Sequence, residues 1–234
     1  MKDLFPVDFV KMVENEFGKN YTFAEWREDD KEGIAPQREL PTKGHGSVLS
    51  YSNQYKICYF MYGILGYHRP EKILVLGTNA GMFELFVCWV YEQMERLNLL
   101  RIDTIDMMSE IFDECKIIDK FPHYRQYINR IAGRTDIEVP KLPKDYYDLI
   151  LIDADHSFEG ALQDLFSCWE IMKEDSFILM HDTRNPEGEV GKALKVFKET
   201  YPEASVISMM GEWQGISLIQ KYKYDTLRHI VYRD

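Results

Sequence analysis

From Asn53 onward the apolar positions alternate between helical and strand spacing. Asn53 to Tyr67 reads as a mostly apolar helix, ended by Gly66 and by Pro70 just beyond. Lys72-Ile73-Leu74-Val75-Leu76 is a continuous run of strand-forming residues, and Met82 to Leu97 is a second apolar helix. A strand that is apolar on both faces suits a buried parallel sheet. A helix that is apolar nearly all round packs deeply. The alternation continues with a strand over Leu99 to Asp106, a helix over Ser109 to Ile118 and a short strand over Tyr127 to Ile131. The clearest buried strand lies within Asp145 to Asp153. The helix after it carries apolar residues at 158, 161, 162, 165, 166, 169 and 172, with Ser157 placed as its N-cap. Ser176 to Met180 is a further strand and Glu189 to Thr200 a further helix. Ala204 to Met210 and Ile216 to Lys221 are strands at hairpin spacing. The pattern predicts a doubly wound α/β domain: a mainly parallel, seven-stranded, Rossmann-like sheet with an antiparallel terminal hairpin strand.

The first segment differs. Leu4 to Phe17 has helical spacing at 9, 10, 13 and 17 and stops at Gly18. Lys19 to Gly46 has no period: it holds Tyr21, Phe23 and Trp26, a charge cluster from Arg27 to Glu32, Pro36, Pro41 and Gly44-His45-Gly46. An aperiodic stretch of this length reads either as a lid over a site or as a strap packed by its aromatics. The expected organisation is an N-terminal helix with a lid or strap over residues 1–49, and the α/β domain over 50–234.

Composition narrows the function classes. The 234 residues are 45% hydrophobic, and 28 Lys+Arg against 39 Asp+Glu give a net charge of −11. So acidic a surface, without a basic cluster, argues against a nucleic-acid partner. The longest uncharged apolar stretch, Ile57 to Tyr67, is too short to span a bilayer. Met1 to Pro6 holds no apolar signal core. Cys58, Cys88, Cys115 and Cys168 lack paired spacing and read as reduced core residues of a cytoplasmic protein.

In such sheets ligands bind at the carboxyl ends of the strands, so those residues carry the candidate chemistry. After the first strand comes Gly77-Thr78-Asn79-Ala80-Gly81, whose glycines permit a tight turn and close approach to a ligand. Asp106 ends the second strand, where a carboxylate can accept from both hydroxyls of a ribose. The fourth strand ends in Asp153-Ala154-Asp155-His156-Ser157, and the fifth in His181-Asp182-Thr183. Three carboxylates can hold a hard divalent cation, and two imidazoles can move a proton near neutral pH.

With these residues the chain resembles the class I S-adenosylmethionine-dependent methyltransferases. It is most similar to the small-molecule and sugar O-methyltransferases with IDxDHSYEG and HDT motifs, read here as Ile152 to Gly160 and His181-Asp182-Thr183. The resemblance covers roughly residues 50–221. It implies that Gly77, Thr78, Asn79 and Gly81 bind the methionine part of S-adenosylmethionine and Asp106 its ribose. The turn near Gly133-Arg134-Thr135 would meet the adenine, and Asp153 would face the reacting end. It further implies a divalent cation such as Mg²⁺ between Asp153 and Asp182. The chain departs from the family pattern at Val75, where an acid is usual, at Asn79 in place of the middle glycine, and at Thr183 in place of an amide metal ligand.

The implied reaction is in-line methyl transfer to a hydroxyl of a small molecule, a sugar or polyhydroxyl compound. Asp153, His181 and His156 are the catalytic candidates. His181 is the expected base, because His156 directly precedes the helix N-cap. Three rivals stand beside it: a nicotinamide-dependent dehydrogenase, which the absent GxGxxG disfavours, a metal-dependent oxygenase using His156, His181 and a carboxylate, and a non-catalytic binding protein of the same ancestry. Assembly into a homo-oligomer is left open.

Overall fold

A computed structural model describes residues 8, 9, 11, 12, 54–78, 81–107, 121–209 and 215–222. The lid or strap over 19–46, Asn79, and the helix expected over Ser109 to Ile118 lie outside the described residues. The described elements are α1 (Gln54–His68), β1 (Lys72–Leu76), α2 (Met82–Gln93), β2 (Arg101–Asp106), β3 (Ile128–Ala132), β4 (Tyr147–Ile152), α3 (Phe158–Ile171), β5 (Met172–His181), α4 (Glu189–Thr200), β6 (Ser205–Met209) and β7 (Ile216–Gln220).

The strands form one seven-stranded sheet in the order β3-β2-β1-β4-β5-β7-β6. The pairs β1–β2, β1–β4, β2–β3 and β4–β5 are parallel. β7 is antiparallel to both β5 and β6 and lies between them, so the hairpin is present with its antiparallel strand one place in from the edge. Strand order reverses between β1 and β4, which opens the crevice where ligands of such sheets bind.

Alternate residues of β1 feed two cores. Ile73 and Val75 pack with Phe83, Phe86, Val87 and Val90 of α2 on one face. Leu74 and Leu76 pack with Leu165, Ala193 and Phe197 under α3 and α4 on the other. This two-sided burial explains why β1 and β4 read as continuous apolar runs. The N-terminal segment joins the first core through Phe9, which sits edge-on to Phe86 at 5.0 Å and beside Trp89 at 5.6 Å. Cys88 and Cys168 are buried free thiols. Among the described residues no helix is long and apolar enough to cross a membrane.

Candidate active site

The glycine loop is built by backbone geometry. Gly77 has a φ of +86° and Gly81 a φ of +74°, left-handed values that glycine adopts without strain. A Cβ on Gly77 would lie 2.0 Å from the carbonyl oxygen of Asp153, so only glycine lets the loop pass over the end of β4. The Gly77 amide donates to the Ile105 carbonyl at 2.9 Å, and the Thr78 amide donates to Asp106 Oδ2 at 3.1 Å. The predicted ribose acid is thus joined to the predicted loop. Gly81 starts α2.

At the next strand end, the Gly133 amide donates to the Asp106 carbonyl at 2.9 Å. Arg134 is exposed and forms a bidentate pair with Asp136, at 2.9 and 3.0 Å. The turn at Gly133 and Arg134 therefore stands beside Asp106, on the same rim as the glycine loop.

Asp153, His156, His181 and Asp182 meet across the ends of β4 and β5. His181 Nδ1 lies 3.0 Å from Asp153 Oδ1, and His156 Nε2 lies 3.3 Å from the same oxygen. His156 Nε2 also lies 3.1 Å from Asp182 Oδ2, and His181 Nδ1 is 3.5 Å from Asp182 Oδ1. Burial opposes the charge of Asp153, but the bonds from His156 and His181 outweigh it and hold its carboxyl below the usual range. Asp182 is pushed up, mainly by burial and against the attraction of both imidazoles. The His156 imidazole is raised, first by its bond to Asp153 and then by the charge of Asp182. For His181, burial acts downward and the bond and charge of Asp153 with the charge of Asp182 prevail, for a net rise. In its neutral form each imidazole can direct one N–H at the carboxylates and keep its other nitrogen as an acceptor, while the carboxylates favour the protonated form of both.

The two histidines differ in access. The His156 side chain is 57% exposed and that of His181 is 8% exposed. His156, next to the N-cap, is thus the more accessible imidazole, and His181, the expected base, the more enclosed one.

Asp155 departs from the carboxylate group that its sequence position suggested. Its Oδ1 accepts from the Ser157 amide at 2.9 Å, and its side chain folds against Gly160. It shapes the start of α3 together with Ser157, whose hydroxyl accepts from the Gly160 amide at 3.1 Å. The signal was in the sequence: Asp two residues before a cap is a common local turn former.

The cluster fits a divalent cation. Single donor atoms of Asp153, His181 and Asp182 all lie within 4.8 Å of one another, and buried Asp182 Oδ1 has no hydrogen-bond partner among the described residues. This group is one imidazole with two carboxylates, whereas the triad of the oxygenase reading needs two imidazoles with one. Thr183 adds no ligand here. It is buried, and its hydroxyl accepts from Ser217 of β7 at 2.8 Å.

One residue of this region went unnoticed in the sequence. Glu84, in the first turn of α2, is fully buried and accepts from Thr104 Oγ1 at 2.8 Å. Its sequence signal was a charge in the first turn of a helix whose next seven residues, Leu85 to Tyr91, are apolar.

Residues 74–183, which span β1 to the turn after β5, match a family model described as a methyltransferase domain. No curated protein matches the chain in sequence. Among solved structures, an SAH-bound methyltransferase of Podospora anserina superposes with a TM-score of 0.56 at 16% identity, covering 71% of this chain and 78% of that one. The O-methyltransferase of Bacillus cereus, in complex with SAH, gives 0.56 at 14% identity, covering 71% and 81%. The Streptomyces achromogenes O-methyltransferase TomG, involved in tomaymycin synthesis and solved with SAM, gives 0.56 at 11% identity, covering 95% and 92%. At these identities the shared property is the fold. Residues 74–183 thus match a methyltransferase domain, and the described fold is the one these solved methyltransferases share.

Proposed function

We propose that the protein transfers the methyl group of S-adenosylmethionine to a hydroxyl of a small molecule. The observation that carries this reading is the packing of Gly77 against the backbone of Asp153, which sets the glycine loop beside the strand end that bears the acid–imidazole cluster. A ligand held by Gly77, Thr78, Asn79, Gly81, Asp106, Gly133 and Arg134 would present its reacting end to Asp153 and the two histidines. The solved relatives with bound SAH and SAM support the same cofactor.

S-adenosylmethionine supplies an electrophilic methyl on a sulfonium. The chain's own residues then act on the acceptor. Asp153 orients both imidazoles through Oδ1. With Nε2–H directed at Asp153 and Asp182, His156 keeps Nδ1 to take the hydroxyl proton from the solvent side. Buried His181 holds Asp153 from behind and is a positioning residue. Holding the oxygen and the methyl in line is worth up to ~7–11 kcal/mol in well-oriented systems. Asp153 and Asp182 would hold a divalent cation such as Mg²⁺, which lowers the pKa of a bound hydroxyl. Acidic surroundings favour a neutral acceptor such as a sugar or polyhydroxyl compound. The buried thiols Cys88 and Cys168 suit a cytoplasmic location.

The test is thermal unfolding with SAH, S-adenosylmethionine and NAD in parallel, each with Mg²⁺ or chelator. A ligand at 100 times its Kd adds about 2.7 kcal/mol, a rise of roughly 5–11 °C for a domain of this size. A rise with the adenosyl sulfur ligands alone supports the cofactor, and labelled methyl transfer to a panel of hydroxylated acceptors then separates an enzyme from a binding protein. No rise with SAH or S-adenosylmethionine overturns the proposal.

A further inference from the structure

The buried carboxylate beneath the glycine loop has no part in the chemistry above. Glu84 is fully buried and its Oε2 has no hydrogen-bond partner among the described residues. Leaving such a group inside an apolar helix face is costly unless it acts on something. Its other oxygen accepts from Thr104 Oγ1 at 2.8 Å. Thr104 Oγ1 in turn meets Thr78 Oγ1. Since the single hydroxyl proton of Thr104 goes to Glu84, Thr78 is the donor to Thr104. The relay thus runs from the first turn of α2, across β2, into the loop between Gly77 and Gly81. Its far end, Thr78, is also fixed through its amide by Asp106 Oδ2 at 3.1 Å.

The sheet explains why the acid stands there. Val75, Thr104 and Arg130 are register partners on β1, β2 and β3 and form one row across the face covered by α2. Arg130 attracts the Glu84 carboxylate electrostatically. Val75, one strand spacing from Thr104, is apolar and leaves Thr104 without an acid from its own sheet. Glu84 supplies that acid from above.

We propose that Glu84 is a positioning residue for cofactor binding: through Thr104 and Thr78 its carboxylate holds the glycine loop in the shape that receives S-adenosylmethionine. The inference rests on the cofactor reading given above. It goes further by assigning the loop's geometry to a residue outside it.

The experiment measures SAH binding by calorimetry and melting of the ligand-free protein for wild type, Glu84→Leu and the double variant Val75→Glu/Glu84→Leu. Leucine fills a similar volume without a buried charge, and such replacements are often neutral or stabilising. The expected result is a Glu84→Leu protein that melts at or above the wild-type temperature yet binds SAH at least tenfold more weakly. In the double variant a carboxylate returns to Thr104 from the adjacent strand, and most of the affinity returns with it. Wild-type affinity in Glu84→Leu overturns this inference alone. Loss of affinity with a matching loss of melting temperature, not recovered by Val75→Glu, also overturns it, because the role is then structural only. A wild-type protein that binds no SAH overturns the cofactor reading and this inference together.

Discussion

Gly77 and Asp153 occupy a shared space that no side chain can enter. The ideal Cβ position on Gly77 lies 2.0 Å from the Asp153 carbonyl oxygen and 3.0 Å from the Ala154 Cα. The loop that turns beyond β1 and the acid that ends β4 are therefore one unit, and displacing either moves the other.

Gly77→Ala tests this unit. The substitution combines a left-handed φ of +86° with a backbone clash. The expected loss is about 3 kcal/mol or more, and SAH binding goes with it. A melting curve and a binding titration check both. An alanine variant that melts within 1 °C of wild type, by the scale of about 2–4 °C per kcal/mol, contradicts the contact.

Glu84 predicts a pH dependence of stability. Burial pushes its pKa up to about 7 from the ordinary value of 4.5. The folded state therefore binds this proton more tightly than the unfolded chain. Between these values stability falls as pH rises, and the penalty, on the order of 3 kcal/mol, is fully present above about pH 7. Asp164, raised by burial to about 6, acts in the same direction over a lower window. Glu84→Gln removes the charge and is expected to flatten the upper part of the curve between pH 5 and 8, which denaturant titrations at stepped pH would measure. A curve unchanged by the substitution would place the ionisation elsewhere.

The sheet and its helices were legible because each depends on local period. The helix over 158–171 declared itself by the i, i+3, i+4 series and by Ser157. The start of β5 did not. Strand geometry begins at Met172, but Lys173, Glu174 and Asp175 are polar, and Asp175 takes a positive φ of 60°, so the apolar pattern resumes only at Ser176. The place of β7 inside the sheet edge depends on pairing between distant strands, which no local pattern carries. At the site, the residue types at the strand ends could be read, but their division of labour could not. The residue types alone do not separate Asp153 from Asp155 and only the family resemblance singled out Asp153, which faces the histidines while Asp155 turns back to accept from the amide of Ser157 at the start of α3. Glu84 was invisible because its partner Thr104 lies twenty residues away on another element.

Ser157 offers a clean check on local design. Its hydroxyl accepts from the Gly160 amide at 3.1 Å, satisfying one of the open donors at the start of α3. Ser157→Ala is expected to lower stability by about 1 kcal/mol, or roughly 2–4 °C in melting temperature. SAH affinity should stay near wild type, because the hydroxyl points into the helix and not toward Asp153. A large loss of affinity with little loss of stability would mean that Ser157 belongs to the binding site.

The two histidines make the sharpest separation of roles. His156 is 57% exposed and His181 only 8%, although both reach Asp153 Oδ1. Removing His181 leaves a largely enclosed carboxylate without its nearest partner, and breaking a buried pair in this way costs on the order of 3 kcal/mol. His181→Ala is therefore expected to melt several degrees lower. His156→Ala should lose less melting temperature than His181→Ala, because its side chain is half exposed although it pairs with Asp153 and Asp182, and it should keep its SAH affinity. Its methyl-transfer rate should fall by roughly 10²–10⁴, the range for a lost general base. Single-turnover transfer to an acceptor found in the hydroxyl panel, run beside melting curves, reads both quantities. If His156→Ala transfers at the wild-type rate while His181→Ala stays folded and loses it, the proton goes to the buried imidazole and the roles are exchanged.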